Sequence, residues 1–239
     1  MRLSRFFIDA PLSLGQHALP EAQSHYIGRV LRLAPGAAVQ LFDGSGREFL
    51  GELIEVGKKQ VRVELNESLE GQVTSPLAVH LGQGLSRGER MDWAIQKATE
   101  LGVEQITPIV SARCEVRLKD ERTDKRMQHW RQVAISACEQ CGRSVLPLIH
   151  PPLVLADWLQ QTEADLKLVL HPVAEPLASH AAPRSLAFLI GPEGGLSDAE
   201  VMQAQAAGFH AARLGPRVLR TETAAVVALT VAQQLWGDL

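Results

Sequence analysis

The sequence predicts an α/β protein in two parts, a small N-terminal β-barrel or curled sheet and a larger domain built on a parallel sheet. Three observations carry this expectation. Short strand candidates separated by glycine turns fill the chain before residue 72. From residue 77 strand-like and helix-like segments alternate, as in a parallel sheet covered by helices. The stretch between them, 66–76, is polar and holds Gly71 and Pro76, so domains are expected over 1–72 and 73–239.

In the first part, residues 38–43 form a strand candidate ending at Gly44-Ser45-Gly46. A second runs from Arg47 to Val56 and breaks at Gly57. A third, 60–65, alternates apolar and polar residues with period two. Pro20 to Leu33 is a helix candidate carrying His25, Arg29 and Arg32. In the second part the strand candidates are 77–81, 106–110, 166–170, 186–190 and 211–214. The stretch 186–190 is wholly apolar, so burial on both faces is expected. Helices are expected over 89–101, 126–141, 199–207 and 224–236. The first places Met91, Ala94, Ile95, Ala98 and Leu101 at helical spacing and ends at Gly102.

Composition narrows the function classes. Of 239 residues 46% are hydrophobic and 21% charged, which excludes wholesale disorder. No run approaches the ~20 apolar residues of a membrane span. The first nine residues lack the apolar core of a secretory leader, and three cysteines give no disulfide framework, so a cytoplasmic setting is expected. The net charge is −3, yet residues 73–146 carry eleven Lys and Arg against nine Asp and Glu. Any nucleic-acid contact would therefore come from a local patch.

Two segments carry chemistry. Gly191-Pro192-Glu193-Gly194-Gly195-Leu196-Ser197 follows the buried strand, and Ser197 with Glu200 makes a capping box that starts a helix. A glycine-rich turn between a strand's C-terminal end and a helix is where parallel sheets bind ligands. It lacks the Gly-Lys-Ser/Thr of a P-loop, and the stretch 82–88 is a poor dinucleotide fingerprint. The second segment, Arg213 to Ala225, is an irregular polar loop before a long apolar helix, with Thr221 or Thr223 as N-cap. Cys138 and Cys141 have redox spacing. They lie at the end of a predicted helix, where the dipole opposes a thiolate, and read as packing residues. No metal-ligand set or hydrolase triad is apparent, so no metal is expected.

Together, Gly191–Gly195 and Leu214-Gly215-Pro216-Arg217-Val218-Leu219-Arg220-Thr221-Glu222-Thr223-Ala224 resemble the RsmE family, the 16S ribosomal RNA uracil-N3 methyltransferases of the SPOUT superfamily. Further motifs stand in the family's order: Arg5-Phe6-Phe7, Val30-Leu31-Arg32, Phe42-Asp43-Gly44, Ser86-Arg87-Gly88, 96–103 and 139–143. Cys141 replaces a more usual serine.

The resemblance implies an N-terminal PUA-like barrel for RNA and a C-terminal SPOUT domain with a deep trefoil knot, which ordinary topology rules disfavour. It implies a homodimer, S-adenosyl-L-methionine as cofactor, and methylation of N3 of one uridine of 16S ribosomal RNA in the small ribosomal subunit, uridine 1498 in standard 16S numbering. The cofactor loops would be Leu170, His171 and Pro172; Ile190, Gly191, Pro192, Glu193, Gly194 and Gly195; and Leu214, Gly215, Arg217, Val218, Leu219, Arg220, Thr221 and Thr223. Such a cofactor brings an activated methyl group, so no covalent nucleophile is needed. Uracil N3 must lose a proton, and Arg220 with Glu222 are the catalytic candidates, with Glu193 as alternative base. Arg2, Arg5, Arg32, Arg87, Arg113 and Arg143 are expected RNA contacts, because a guanidinium fork matches phosphate oxygens. An RNA-binding assembly factor without catalysis, a related methyltransferase with another acceptor, and a nicotinamide oxidoreductase are the rival readings.

Overall fold

The computed structural model describes residues 3–57, 59–71, 74–115 and 120–239, with backbone alone for 120–122. It divides into two units, Met1–Val73 with Cys138–Leu146, and Thr74–Ala137 with Pro147–Leu239. The expected boundary at 72 and 73 and the expected RNA contact Arg2 lie outside the described residues.

The first unit holds β1 (Ser4–Phe7), β2 (Gly15–Ala18), α1 (Glu21–His25), a π-helical turn (Tyr26–Val30), β3 (Ala38–Phe42), β4 (Arg47–Val56) and β5 (Val61–Glu70). They form a five-stranded sheet in the order β1-β3-β4-β5-β2. The β1–β3 pair is parallel and the others antiparallel. The period-two pattern of β5 puts Val61, Val63 and Leu65 into one core with Val39, Leu41, Leu53 and Ile27. The expected helix over Pro20–Leu33 is shorter and changes pitch at Tyr26, and Arg32 beyond it has φ +54°. Residues Cys138–Leu146 belong to this unit, although the sequence placed everything after 73 in one domain. The cause is polar: the Phe7 amide donates to Glu139 at 3.0 Å and the Ser144 hydroxyl donates to Glu48 at 2.9 Å.

The second unit holds β6 (Ala78–Gly84), α2 (Glu89–Glu100), β7 (Gln105–Val110), α3 (Asp120–Cys141), whose last turn falls in the first unit, β8 (Leu148–Ile149) and β9 (Leu153–Val154). These are followed by α4 (Leu155–Gln161), β10 (Leu166–Pro176), β11 (Ser185–Ile190), α5 (Asp198–Ala206), β12 (His210–Arg213) and α6 (Thr221–Trp236). Every strand pair is parallel, in the order β12-β10-β11-β6-β7-β8, with β9 also on β7.

The alternation within β11 explains why a wholly apolar strand is stable here. Leu186, Phe188 and Ile190 pack on the face covered by α2, α3 and α6, through Ile95, Trp130 and Leu229. Ala187 and Leu189 face the other way, against Trp158 of α4, Ala204 of α5 and Phe209. Successive side chains of a strand point to opposite faces, so a strand covered on both sides has no solvent-facing side that calls for polar residues. No helix among the described residues is long and apolar enough to cross a membrane.

Cys138 is buried, and desolvation pushes its thiol up to about 12, which makes it an inert packing group.

Candidate active site

The middle of β10, the C-terminal ends of β11 and β12 and the start of α6 enclose a cavity of about 670 Å³. The loop after β11 supplies Gly191–Leu196, closed as a turn by the Gly195 amide on the Pro192 carbonyl at 2.8 Å. Gly195 has φ +68°, which a side chain would strain. The capping box at α5 is present: Ser197 Oγ accepts from the Glu200 amide at 3.3 Å and Glu200 Oε2 accepts from the Ser197 amide at 2.8 Å. Glu200 also accepts from the Ala112 amide at 2.7 Å, tying the chain after β7 to the same corner.

Sequence reasoning expected seventeen cofactor residues. The cavity brings together Leu170–Pro172, Ile190–Gly195, Leu214, Gly215 and Arg217–Thr221 from three separate stretches of chain. Thr223 does not line it. Neither threonine caps α6: Arg220 holds the cap position without a side-chain bond, and the Thr221 hydroxyl donates instead to the Gly191 carbonyl at 2.6 Å. The cavity wall also includes Leu196, Arg213 and Ala224, which lie in the two segments singled out but were not among the expected cofactor residues, and Arg90, Val201 and Ala212, which sequence reasoning missed. A residue on a strand end or the first turn of a helix gives no composition signal of its own.

The two candidate bases differ. Burial alone would raise Glu193, but the amides of Glu193 and Arg87 and the Arg90 guanidinium hold its carboxyl below the usual range. Its Oε1 accepts from the Arg87 amide at 3.1 Å and from Arg90 at 3.0 Å. A carboxylate so engaged holds a loop and is a poor proton acceptor. Glu222 also lines the cavity, and its Oε2 is buried with no hydrogen-bond partner among the described residues. Arg220 is exposed on the same wall.

The expected RNA contacts separate likewise. Arg5 is corrected: its side chain is only 7% exposed and pairs with Glu48 at 2.8 Å, so it cannot reach a phosphate. Arg143 is half-buried, and its carbonyl accepts from Arg5. Arg32 is exposed. Arg87 is exposed and pairs loosely with Glu115 at 3.1 Å. Arg113 is exposed and donates to the carbonyls of Gly194 and Leu196 at 3.2 and 3.4 Å, so it also braces the glycine loop.

A smaller cavity of about 300 Å³ lies at the opposite, N-terminal ends of β6, β7 and β11, beside His80 and His150. Ligands of open α/β sheets bind at the C-terminal ends, so the larger cavity is the candidate site. His80 Nε2 accepts from the Trp158 indole N–H at 3.4 Å and therefore also from the Thr107 hydroxyl at 2.8 Å, and the ring lies 5.5 Å from that of His150. Burial, helped by His150, lowers its pKa to about 4. The unfolded chain then binds more protons than the folded one between about pH 6.5 and 4, so stability falls as pH drops through that window. About 3 kcal/mol is expected to be lost there on this account. Thermal melts across the window check it: a His80→Gln variant should show a shallower acid slope than wild type.

This geometry defines a class, an α/β protein with a ligand cavity of glycine-rich loops at the ends of a parallel sheet. The comparisons give the class its chemistry: the RNA methyltransferase domain matches residues 73–233 and the RNA methyltransferase PUA domain matches residues 19–66. The chain belongs to the ribosomal RNA small subunit methyltransferase E family. The member from Buchnera aphidicola subsp. Schizaphis graminum is 35% identical over 100% of this chain and 98% of its own. The Neisseria gonorrhoeae member, solved bound to S-adenosyl methionine, is 37% identical with a TM-score of 0.93 over 100% of both chains. A methyltransferase from Legionella pneumophila, solved in complex with the bound cofactor SAM, is 40% identical with a TM-score of 0.97 over 100% of both.

Proposed function

We propose that this chain transfers the methyl group of S-adenosyl-L-methionine to N3 of uridine 1498 of 16S ribosomal RNA, on the small ribosomal subunit in the cytoplasm. The observation that carries this is the cavity in which three stretches far apart in sequence converge, Leu170–Pro172 of β10 and the two glycine-containing loops at 191–195 and 214–220. Its backbone groups suit an adenosyl ligand, and the two cofactor-bound relatives support the choice. A homodimer and a knotted chain belong to the same reading. Val218 and Val173, each 83% exposed, leave apolar surface by the cavity for a second copy to cover.

When bound, the cofactor supplies a methyl group already activated on a sulfonium, so the chain's own residues need only position the acceptor and move a proton. Arg220 on the wall would stabilise the negative charge that spreads onto the uracil oxygens. Glu222, whose Oε2 has no partner among the described residues, would take the N3 proton. Glu193 would hold the loop through Arg87 and Arg90. RNA contacts would come from Arg32, Arg87 and Arg113.

Labelled methyl transfer to small subunits and to deproteinised 16S RNA from cells lacking the protein tests the reaction, with 3-methyluridine in the digest as the expected product. Glu222→Gln is expected to lower kcat by ~10²-fold or more with cofactor affinity retained. Full turnover in both Glu222→Gln and Glu193→Gln proteins would remove carboxylate catalysis from the mechanism.

A further inference from the structure

Gln83 stands near the end of β6 and is 1% exposed, between Leu81 and Leu85, which are fully buried. Its Nε2 donates to Thr221 Oγ1 at 2.7 Å. The Thr221 hydroxyl in turn donates to the Gly191 carbonyl at 2.6 Å. A carbonyl has no hydrogen to give, so the single hydroxyl hydrogen goes to Gly191 and the hydroxyl lone pairs face Gln83. That settles which end of the Gln83 amide points at Thr221. Its Oε1 is buried with no partner among the described residues.

Burying an amide with one end unpaired costs stability, and leucine would fill the same space without that cost. What the amide provides is direction. The relay joins the end of β6, the first residue of the glycine loop and the first residue of α6, three stretches far apart in sequence. Gly191 to Gly195 line the cavity, and Gln83 does not. We infer that Gln83 is a positioning residue of the cofactor site: through Thr221 it fixes the Gly191 carbonyl and hence the path of the glycine loop. This rests on the cofactor reading proposed above. A preorganised loop binds more tightly because less ordering remains to be done on binding.

The test is calorimetric titration of the full chain with S-adenosyl-L-methionine and S-adenosylhomocysteine, together with kcat and KM for the cofactor. Gln83→Leu and Thr221→Val are each expected to weaken binding about tenfold, the effect of one hydrogen bond. Thr221→Ser, which keeps the hydroxyl, should recover most of the affinity that Thr221→Val loses. The double variant Gln83→Leu with Thr221→Val should be no weaker than the worse single one, because both break one relay. KM should rise more than kcat falls. A folded Gln83→Leu protein that binds like wild type, or losses that multiply in the double variant, would overturn the inference. If Gln83→Leu does not fold, equal affinities of Thr221→Ser and Thr221→Val do so. If the wild-type chain itself takes up neither ligand, the cofactor reading fails first and the inference falls with it.

Discussion

Gly84→Ala is expected to weaken cofactor binding by ~100-fold or more, while the protein still folds. Gly84 ends β6 directly against the loop after β11. A Cβ there would lie 2.5 Å from the Gly191 carbonyl carbon and 2.8 Å from Pro192 Cα, and closer still to the Pro192 nitrogen. All three are backbone atoms, so no side-chain rotation relieves the clash. Either the strand or the loop must move. β6 is held on both edges, by β11 and by β7. The loop is held by fewer contacts, the Thr221 hydroxyl, Glu193 and Arg113 among them. The loop therefore gives way, and it forms the cavity wall. Overpacking of this kind costs ~1–3 kcal/mol, and a displaced loop loses its ligand contacts together. Calorimetric titration with a melting curve separates the two effects. Wild-type affinity in Gly84→Ala would show that loop position does not govern the site.

The fold was legible where burial imposed a period. β11 read as doubly buried because residues 186–190 are all apolar, and it is flanked on both faces. β1 and β2 were missed: each has four residues and is partly exposed, so alternation had no length in which to appear. The helix α4 did carry a signal, Leu155, Trp158 and Leu159 at helical spacing, but Pro151 and Pro152 just before it masked its start. The loop at 191–195 was legible as a ligand-loop candidate because glycine and proline after an apolar strand have few other uses, whereas residues 170–172 entered only through the family resemblance. The mutual arrangement of these stretches was not legible, since convergence of residues 170, 191 and 214 is a property of strand order. Gln83 was missed because the strand candidate ended at residue 81 and the stretch 82–88 read as a poor dinucleotide fingerprint, whereas β6 runs on to Gly84 and buries it. Glu193 and Glu222 looked alike as acids in loops, and only their partners distinguish them.

Arg5 shows the same limit and gives the largest expected effect on stability. Near the N-terminus and followed by two phenylalanines, it reads as a surface cation available for phosphate. Its guanidinium instead lies 4.9 Å above the Phe42 ring, pairs with Glu48 and donates to the Arg143 carbonyl at 3.3 Å. Glu48 also accepts from the Ser144 hydroxyl at 2.9 Å and from the Gln40 amide, so strands β1, β3 and β4 and the segment 138–146 meet at one carboxylate. Arg5→Ala removes the cation and leaves that carboxylate buried with neutral donors only. Stranding one partner of a buried pair costs ~3–5 kcal/mol, against under ~1 kcal/mol for an exposed arginine. Denaturant unfolding is expected to show a loss in the upper range. The double variant Arg5→Met with Glu48→Leu should recover much of it, because the penalty comes from the orphaned charge rather than from lost attraction. In the fraction that stays folded, the salt dependence of RNA binding should keep its slope in Arg5→Ala and become shallower in Arg32→Ala, since only a residue that meets phosphate releases counterions. A small stability loss with a shallower slope in Arg5→Ala would instead return Arg5 to the RNA surface.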